Sequence, residues 1–188
     1  MTRIIAGFAG SLTIAVPPSG TRPTSDRVRE AIFSALQARD AIEGSRVLDL
    51  YAGSGALGLE SLSRGAAHIA LVEKAPKAAA LCRKNIATVL GRAPKEPRPT
   101  AEVVVQSVQT FLESAPGEWD LVFLDPPYDL PDDELARALD ALVPRLAADA
   151  VVVVERSSRT PEPSWPTGLE HDRTKAYGET VLYWLTAG

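Results

Sequence analysis

The chain is predicted to fold as a doubly wound α/β sheet, mostly parallel, that ends in an antiparallel hairpin. Apolar runs typical of strands alternate five times with helical patterns, as in folds whose helices cover both faces of a sheet. The strand predicted over Val151–Glu155 opens with four valines, which is typical of a strand buried on both faces. The last two strand patterns, Leu169–Lys175 and Thr180–Leu185, meet near Tyr177-Gly178 and are predicted to pair antiparallel.

Length and composition indicate an ordinary globular protein with one main domain. The chain has 188 residues, of which 45% are hydrophobic and 23% charged. We predict a β-hairpin extension over residues 1–20 and a single domain over residues 21–188. With one cysteine, Cys82, and two histidines, neither an internal disulfide nor a metal site is expected. No apolar run approaches the roughly 18 residues of a membrane span, so we expect no membrane partner and a cytoplasmic location.

The first elements are a hairpin and a helix. Leu12, Ile14 and Val16 alternate with smaller or polar residues, which predicts a strand in a hairpin that turns near Ala9-Gly10. Thr24 or Ser25 can then cap the N-terminus of a helix whose apolar stripe runs from Val28 to Leu36.

The remaining elements follow in regular order. Strands are predicted over Arg46–Tyr51, His68–Glu73, Glu102–Gln106 and Trp119–Leu124. Helices are predicted after Gly58 through Ser63, from Pro76, over Val108–Ser114, and from Pro131 with Leu135, Leu139, Leu142 and Leu146 on one face.

A glycine-rich loop follows the first central strand. Gly53–Gly58 reads GSGALG between a strand and a helix, and Glu73 ends the next strand twenty residues after Gly53. Glycines let the backbone approach a ligand closely, and an acid in that place can hold two ribose hydroxyls. The pattern alone leaves a dinucleotide and S-adenosylmethionine (SAM) open.

The longer run Val47–Gly55, VLDLYAGSG, resembles the opening motif of class I methyltransferases, which have a Rossmann-like sheet. The resemblance implies that SAM binds here without a metal and leaves as S-adenosylhomocysteine. It implies that Asp49 organises the loop for the methionine part and that Glu73 binds the ribose. Ser107 stands where the family often has Asp or Asn near the adenine. The implied cofactor-binding residues are Asp49, Tyr51, Gly53, Ser54, Gly55, Glu73, Lys74, Ser107 and Val108.

The run Asp125–Tyr128, DPPY, directly follows the strand predicted over Trp119–Leu124. It resembles the catalytic motif of methyltransferases that act on exocyclic base amines. Such an amine is a poor nucleophile because its lone pair is delocalised into the ring. The Asp125 carboxylate and the Pro126 carbonyl can each accept one amine hydrogen and direct the lone pair at a methyl donor. Tyr128 can stack on a base taken out of its helix. Adenine N6, cytosine N4 and guanine N2 all remain open.

Three blocks in order resemble the RsmD family, whose members methylate N2 of a guanine in bacterial small-subunit (16S) ribosomal RNA. They are Thr21–Glu30 with Ile32-Phe33, then Asp49–Arg64, then Asp125–Tyr128. The resemblance implies that Thr24 contacts the cofactor and that Arg22, Pro127 and Tyr128 contact the substrate. It also implies ribosomal RNA or the assembled 30S particle as the partner, and we expect a monomer.

Charge is unevenly distributed along the chain. Residues 73–98 contain seven Lys or Arg against two Glu, whereas residues 113–140 contain nine acids and one Arg. The hairpin turn Phe8–Ser11 lacks the Lys and Arg usual in the family. We therefore expect RNA to be held by Arg22, Arg27, Arg29 or the segment Lys74–Arg98, or by shape within an assembled particle.

Three other functions stay open. A DNA or RNA adenine-N6 amino-methyltransferase fits the four-residue motif, although the chain looks short for a separate DNA-recognition domain. A dinucleotide-dependent oxidoreductase fits GSGALG and leaves Asp125–Tyr128 unexplained. A non-catalytic RNA-binding module assigns no function to GSGALG or to Asp125–Tyr128.

Overall fold

A seven-stranded sheet with helices on both faces forms the centre of the molecule. The structure is a computed structural model that describes residues 1–17, 25–114 and 117–188. The elements are β1 (Thr2–Arg3), β2 (Thr13–Ile14), α1 (Asp26–Gln37), β3 (Arg46–Leu50), α2 (Ala56–Ser63), β4 (His68–Val72), α3 (Pro76–Leu90), β5 (Thr100–Val104), α4 (Val108–Ser114), β6 (Trp119–Leu124), α5 (Asp132–Leu142), β7 (Leu146–Ser157), β8 (Leu169–Tyr177) and β9 (Thr180–Ala187).

The strand order confirms the predicted doubly wound sheet. The order is β5-β4-β3-β6-β7-β9-β8, in which β5 through β7 run parallel and β9 is antiparallel to both its neighbours. The chain moves outward from β3 to β5 and then returns to place β6 on the other side of β3. The last residues of β3 and β6, Leu50 and Leu124, lie opposite each other. The loops that follow β3 and β6 therefore emerge side by side at the switch point, which is the place where the strand order reverses. Doubly wound sheets bind their ligands there.

Alternate residues of each central strand face two separate hydrophobic cores. On one face, Val47 and Phe123 pack with α1, α2, α3 and the N-terminal residues. On the other face, Leu48 and Val122 pack with α4 and α5. Because both faces are covered, the central strands are apolar along most of their length, as their sequences indicated.

The N-terminal hairpin is present, but its strands are much shorter than the predicted pattern. Only Thr2 pairs with Ile14 and Arg3 with Thr13. The Ile4 N–H still donates across the hairpin to the Leu12 carbonyl at 2.9 Å, but the backbone donors that follow it bind α2 and not a partner strand. The N–H groups of Ile5 and Ala6 donate to the Glu60 carboxylate at 2.7 and 3.0 Å. The boundary between the extension and the main domain at residue 20 stays a prediction.

The prediction that Leu146 continues the face of α5 was wrong. The helix ends at Leu142, a short 3₁₀ turn spans Val143–Arg145, and Leu146 begins β7. Pro144 accounts for the end of the helix because it has no N–H to donate to the carbonyl four residues earlier. At the N-terminus of α1, the cap is Ser25, whose hydroxyl accepts the Val28 N–H at 3.3 Å.

Candidate active site

A cavity of about 540 Å³ opens at the carboxyl ends of β3, β4, β5 and β6. It brings together the glycine loop and the Asp125–Tyr128 run, the two parts of the site that the sequence predicted. Of the residues predicted from the sequence, it is lined by Asp49, Tyr51, Gly53, Ser54, Glu73, Lys74, Ser107, Val108, Asp125, Pro126, Pro127 and Tyr128. Arg22 and Thr24, also predicted to lie near this site, fall outside the described residues.

Asp49 holds the start of α2 against the end of β3. Its Oδ2 accepts the Gly58 N–H at 2.9 Å, and its side chain is buried. Burial raises the Asp49 pKa to about 7, the Gly58 hydrogen bond opposes that rise, and the negative charge of Glu73 adds to it. Gly58 permits the close approach, since a Cβ there would lie 2.4 Å from Leu71 Cδ2 and 3.3 Å from Asp49 Oδ2.

The glycine loop presents bare backbone to the cavity. Gly53 has a φ of +57°, and a Cβ added to it would meet nothing within 4 Å. Tyr51 also has a positive φ, +65°, which is uncommon for a residue with a side chain. Gly55 caps α2 with a φ of +77° and faces Leu71. It does not line the cavity, so its predicted cofactor contact stays a prediction.

Two buried side chains of α3 support this loop, a role that no sequence pattern indicated. The Cys82 thiol donates to the Gly53 carbonyl at 3.2 Å, and burial raises its pKa to about 12, so it keeps its proton. Asn85 Nδ2 donates to the carbonyls of Ser54 and Ala15, both at 2.9 Å. Asn85 Oδ1 also accepts the Ala15 N–H at 3.0 Å. No local pattern could reveal these contacts because the partners are 29 to 70 residues away.

Glu73 directly follows β4. It accepts hydrogen bonds from the backbone of the glycine loop and from the backbone just before α3. Its Oε2 accepts the Gly53 N–H at 3.0 Å, and its Oε1 accepts the Ala75 N–H at 2.8 Å. A carboxylate has about four acceptor positions, so each oxygen can still accept a hydroxyl. The half-buried Glu73 and the exposed Lys74 therefore form a polar wall of the cavity.

Ser107 and Val108 line the cavity beyond the end of β5. The Ser107 hydroxyl accepts the Thr110 N–H at 3.1 Å and lies 2.8 Å from the Thr110 hydroxyl. Ser107 thus caps the first turn of α4. The Val108 side chain is buried against the second hydrophobic core.

The Asp125–Tyr128 run leaves the sheet directly from the buried end of β6. The Leu130 N–H donates to the Pro127 carbonyl at 3.0 Å, which closes a tight turn. Asp125 is half-buried and Pro126 is buried, whereas the Tyr128 side chain is 56% exposed at the rim of the cavity. A carboxylate inside and an aromatic ring at the rim suit a flat ligand that enters from solvent.

Two cations that were expected to contact RNA differ in accessibility. Arg27 is exposed, but Arg29 is only 1% exposed and lines the cavity. Arg29 therefore cannot serve as a surface contact for phosphates, and that expectation was wrong. The apolar stripe of α1 explains its burial, because Arg29 sits beside Val28 on the face that packs on the sheet.

The described ranges contain no cluster of three His, Cys, Asp or Glu side chains arranged as metal ligands. Within the same ranges, no helix is long and apolar enough to cross a membrane.

Comparison with known proteins identifies relatives along nearly the whole chain. A family described as "Conserved hypothetical protein 95" matches residues 2–186. Ribosomal RNA small subunit methyltransferase D of Escherichia coli K12 is 35% identical over 95% of this chain and 86% of its own length. The putative rRNA methyltransferase YlbH of Bacillus subtilis is 33% identical over 95% of both chains.

The fold comparison agrees with the sequence comparison. The solved structure of the putative methyltransferase yhhF from Escherichia coli has a TM-score of 0.83 and 32% identity. The match covers 98% of this chain and 97% of that one. The identities exceed 30% over almost the full length of the chain, and the protein therefore belongs to the RsmD family.

Proposed function

We propose that this protein transfers a methyl group from SAM to the exocyclic N2 amine of a guanine in bacterial small-subunit ribosomal RNA. The observation that carries the proposal is that the glycine loop after β3 and the Asp125 turn after β6 line one cavity. Relatives named as ribosomal RNA methyltransferases support RNA as the substrate.

The residues of the cavity fit SAM. Glu73 has acceptor positions left for two ribose hydroxyls, and the open backbone at Gly53 leaves room for a ligand against the loop. When bound there, SAM supplies a sulfonium methyl group that is already an activated electrophile. The proposed cofactor-binding residues are Asp49, Tyr51, Gly53, Ser54, Gly55, Glu73, Lys74, Ser107, Val108 and Thr24.

Asp125 and Pro126 are proposed to hold the amine. The carboxylate and the Pro126 carbonyl each accept one amine hydrogen, which draws the nitrogen lone pair out of the ring and fixes its direction. Catalysis is then mostly positioning, since the electrophile needs no further activation. The exposed ring of Tyr128 stacks on a guanine that has been taken out of its helix, with Pro127 and Arg22 as further substrate contacts.

A basic face beside the cavity supports an RNA partner. Lys74, Lys77, Arg83 and Lys84 are all exposed at the start and along α3, and within the described ranges none of them forms an ion pair. Cations left unpaired in this way suit RNA phosphates. The proposal includes ribosomal RNA or the 30S particle as partner, a monomeric enzyme and a cytoplasmic location.

A methyl-transfer assay tests the proposal. Tritiated SAM is incubated with wild-type protein and with naked 16S RNA, 30S particles from cells lacking this activity, or duplex DNA. We expect label in RNA or particles, recovered as N2-methylguanosine after digestion. Asp125→Ala should lower the rate by at least ~100-fold because the amine loses its fixed orientation. Asp140→Ala, at an exposed position of α5 that does not line the cavity, is the matched control.

Two outcomes would contradict the proposal. Label recovered as N6-methyladenosine in RNA or DNA would support the adenine alternative, and full transfer by Asp125→Ala would remove the proposed role of that carboxylate.

A further inference from the structure

Glu134 presents a carboxylate without a partner to the cavity. It is half-buried in the first turn of α5, and within the described ranges its side chain forms no hydrogen bond and no ion pair. Asp132, in the same turn, pairs with Arg156 at 2.8 Å. Asp133 pairs with Arg137 at 2.7 Å. Neither of these two acids lines the cavity, so Glu134 is the acid of this turn that a ligand can contact.

The fold places Glu134 on the side of the cavity where Asp125 leaves the sheet. The proposed cofactor residues follow β3, β4 and β5, whereas α5 connects β6 to β7 on the other side of Asp125. Tyr51 and Asp125 directly follow the residues that pair at the ends of β3 and β6. Burial raises the pKa of Tyr51 to about 12, and the negative charge of Glu134 adds to that rise, which shows that these two side chains are close. Glu134 therefore lies beside the place proposed for the amine.

The three base amines that fit the Asp125–Tyr128 run differ in the ring nitrogens beside them. In guanine, the ring nitrogen N1 next to the N2 amine carries a hydrogen. In adenine and cytosine, the ring nitrogen next to the amine carries a lone pair and no hydrogen. A carboxylate can only accept hydrogen bonds, so it binds guanine N1–H and repels the lone pair of the other two bases. A carboxylate beside the amine therefore selects guanine.

We propose that Glu134 accepts the N1 hydrogen of the target guanine while Asp125 and the Pro126 carbonyl hold its N2 amine. The inference rests on the proposed function and deepens it, since it names the residue that distinguishes guanine from adenine and cytosine. Enzymes that take a base out of its helix read it through hydrogen bonds to this same edge. A half-buried carboxylate keeps access to solvent, so a base stacked on Tyr128 can reach it.

The test replaces the target guanine by 2-aminopurine, which keeps the amine but has a lone pair in place of the N1 hydrogen. The guanine is first located by mapping the tritium label. The analogue is then introduced at that position by ligating a synthetic fragment into 16S RNA, which is used alone or assembled into 30S particles.

Wild-type protein should methylate guanine with a kcat/KM at least ~100-fold higher than that for 2-aminopurine. Glu134→Gln should reduce this preference to less than ~10-fold, because an amide can accept from N1–H and can also donate to a lone pair. Since 2-aminopurine also lacks the guanine O6, it is the difference between the two proteins that isolates Glu134. The dissociation constant for SAM, measured by calorimetry without RNA, should be the same in both proteins.

Asp140→Asn is the matched control, because Asp140 is exposed on the same helix, does not line the cavity and should keep the wild-type preference. Equal methylation of both bases by wild-type protein would overturn the inference, as would a preference that Glu134→Gln leaves unchanged. Weaker SAM binding by Glu134→Gln would assign Glu134 to the cofactor's ammonium group and would also overturn it. No label at the mapping step, or label on an amine other than guanine N2, would contradict the proposed function itself.

Discussion

At the scale of single residues, the site is assembled from side chains that bind backbone. Asp49, Glu73 and Asn85 each hold part of the glycine loop or of the elements beside it. Asp49, Glu73 and the Asp125 turn could be predicted, because their motifs lie within one strand and the loop that follows. Asn85 and Arg29 could not, because each acts on backbone that is distant in sequence and adjacent only in the fold.

The raised pKa of Asp49 predicts how stability depends on pH. Its pKa is about 7 in the folded state against 3.8 in a solvated chain, so between these values the folded state binds a proton that the unfolded state has lost. Its contribution is therefore fully present below pH 3.8 and is lost as the pH rises through 7. The substitution Asp49→Asn removes this pH dependence of stability, because an amide side chain does not titrate.

We expect the free energy of unfolding of wild-type protein, relative to Asp49→Asn, to fall by about 2 to 3 kcal/mol between pH 5 and pH 8. Urea denaturation of both proteins at four pH values in that range measures the difference. A difference that stays constant across the range would show that Asp49 keeps an ordinary pKa in the folded protein.

At the scale of elements, the sequence predicted which helices and strands exist but not how the N-terminal hairpin docks. The period of the hydrophobic residues indicates which face each helix or strand buries. This pattern is sufficient to predict α1 through α5. The length of the hairpin strands depends on Glu60 and Ser63 of α2. These side chains bind the N–H groups of Ile5, Ala6 and Ala9 and so remove them from strand pairing.

Glu60 is the main contact of this docking and should be sensitive to loss of charge. It is fully buried and also accepts the Nε–H of Arg64 at 2.6 Å. Glu60→Gln leaves one acceptor oxygen for three donors and leaves the buried Arg64 without a counterion. We expect it to lower the free energy of unfolding by about 2 to 4 kcal/mol.

Hydrogen exchange of the Ile5 and Ala6 amides should accelerate in the same variant. Glu30→Gln, at an exposed position on α1, is the control and should change stability by less than about 0.5 kcal/mol. Unchanged exchange at Ile5 and Ala6 in Glu60→Gln would mean that Ser63 and the apolar contacts hold the hairpin in place without the Glu60 carboxylate.

At the scale of the whole molecule, the order of the strands brings the glycine loop and the Asp125–Tyr128 run together into one site. Gly53 and Asp125 are 72 positions apart, and they share a cavity because β6 returns to pair with β3. Alternating strands and helices predict such a sheet, and the switch point then predicts where a ligand binds. The depth of the cavity and its wall of N-terminal residues depend on packing that no sequence pattern reports.

Charge is divided between two sides of the molecule, and this division predicts how it holds RNA. The cations Lys77 and Lys84 are exposed seven residues apart on α3, so they project from the same side of that helix. The α5 side is acidic, and its one arginine, Arg137, is paired with Asp133 at 2.7 Å. RNA phosphates should therefore be attracted to α3 and repelled by α5.

We expect the double variant Lys77→Glu and Lys84→Glu to raise KM for the RNA or 30S substrate by roughly 10-fold at 0.1 M salt, because attraction at two positions becomes repulsion. The dissociation constant for SAM should not change, since neither residue lines the cavity. Wild-type KM should rise steeply with salt, and the double variant should show a shallower dependence because it forms fewer phosphate contacts.

Arg137→Glu on α5 is the matched control and should leave KM and its salt dependence unchanged. Equal loss of activity in both proteins would indicate a response to net charge alone. An unchanged KM in the α3 variant would place the RNA on another surface, and the exposed Arg27 on α1 would be the next cation to reverse.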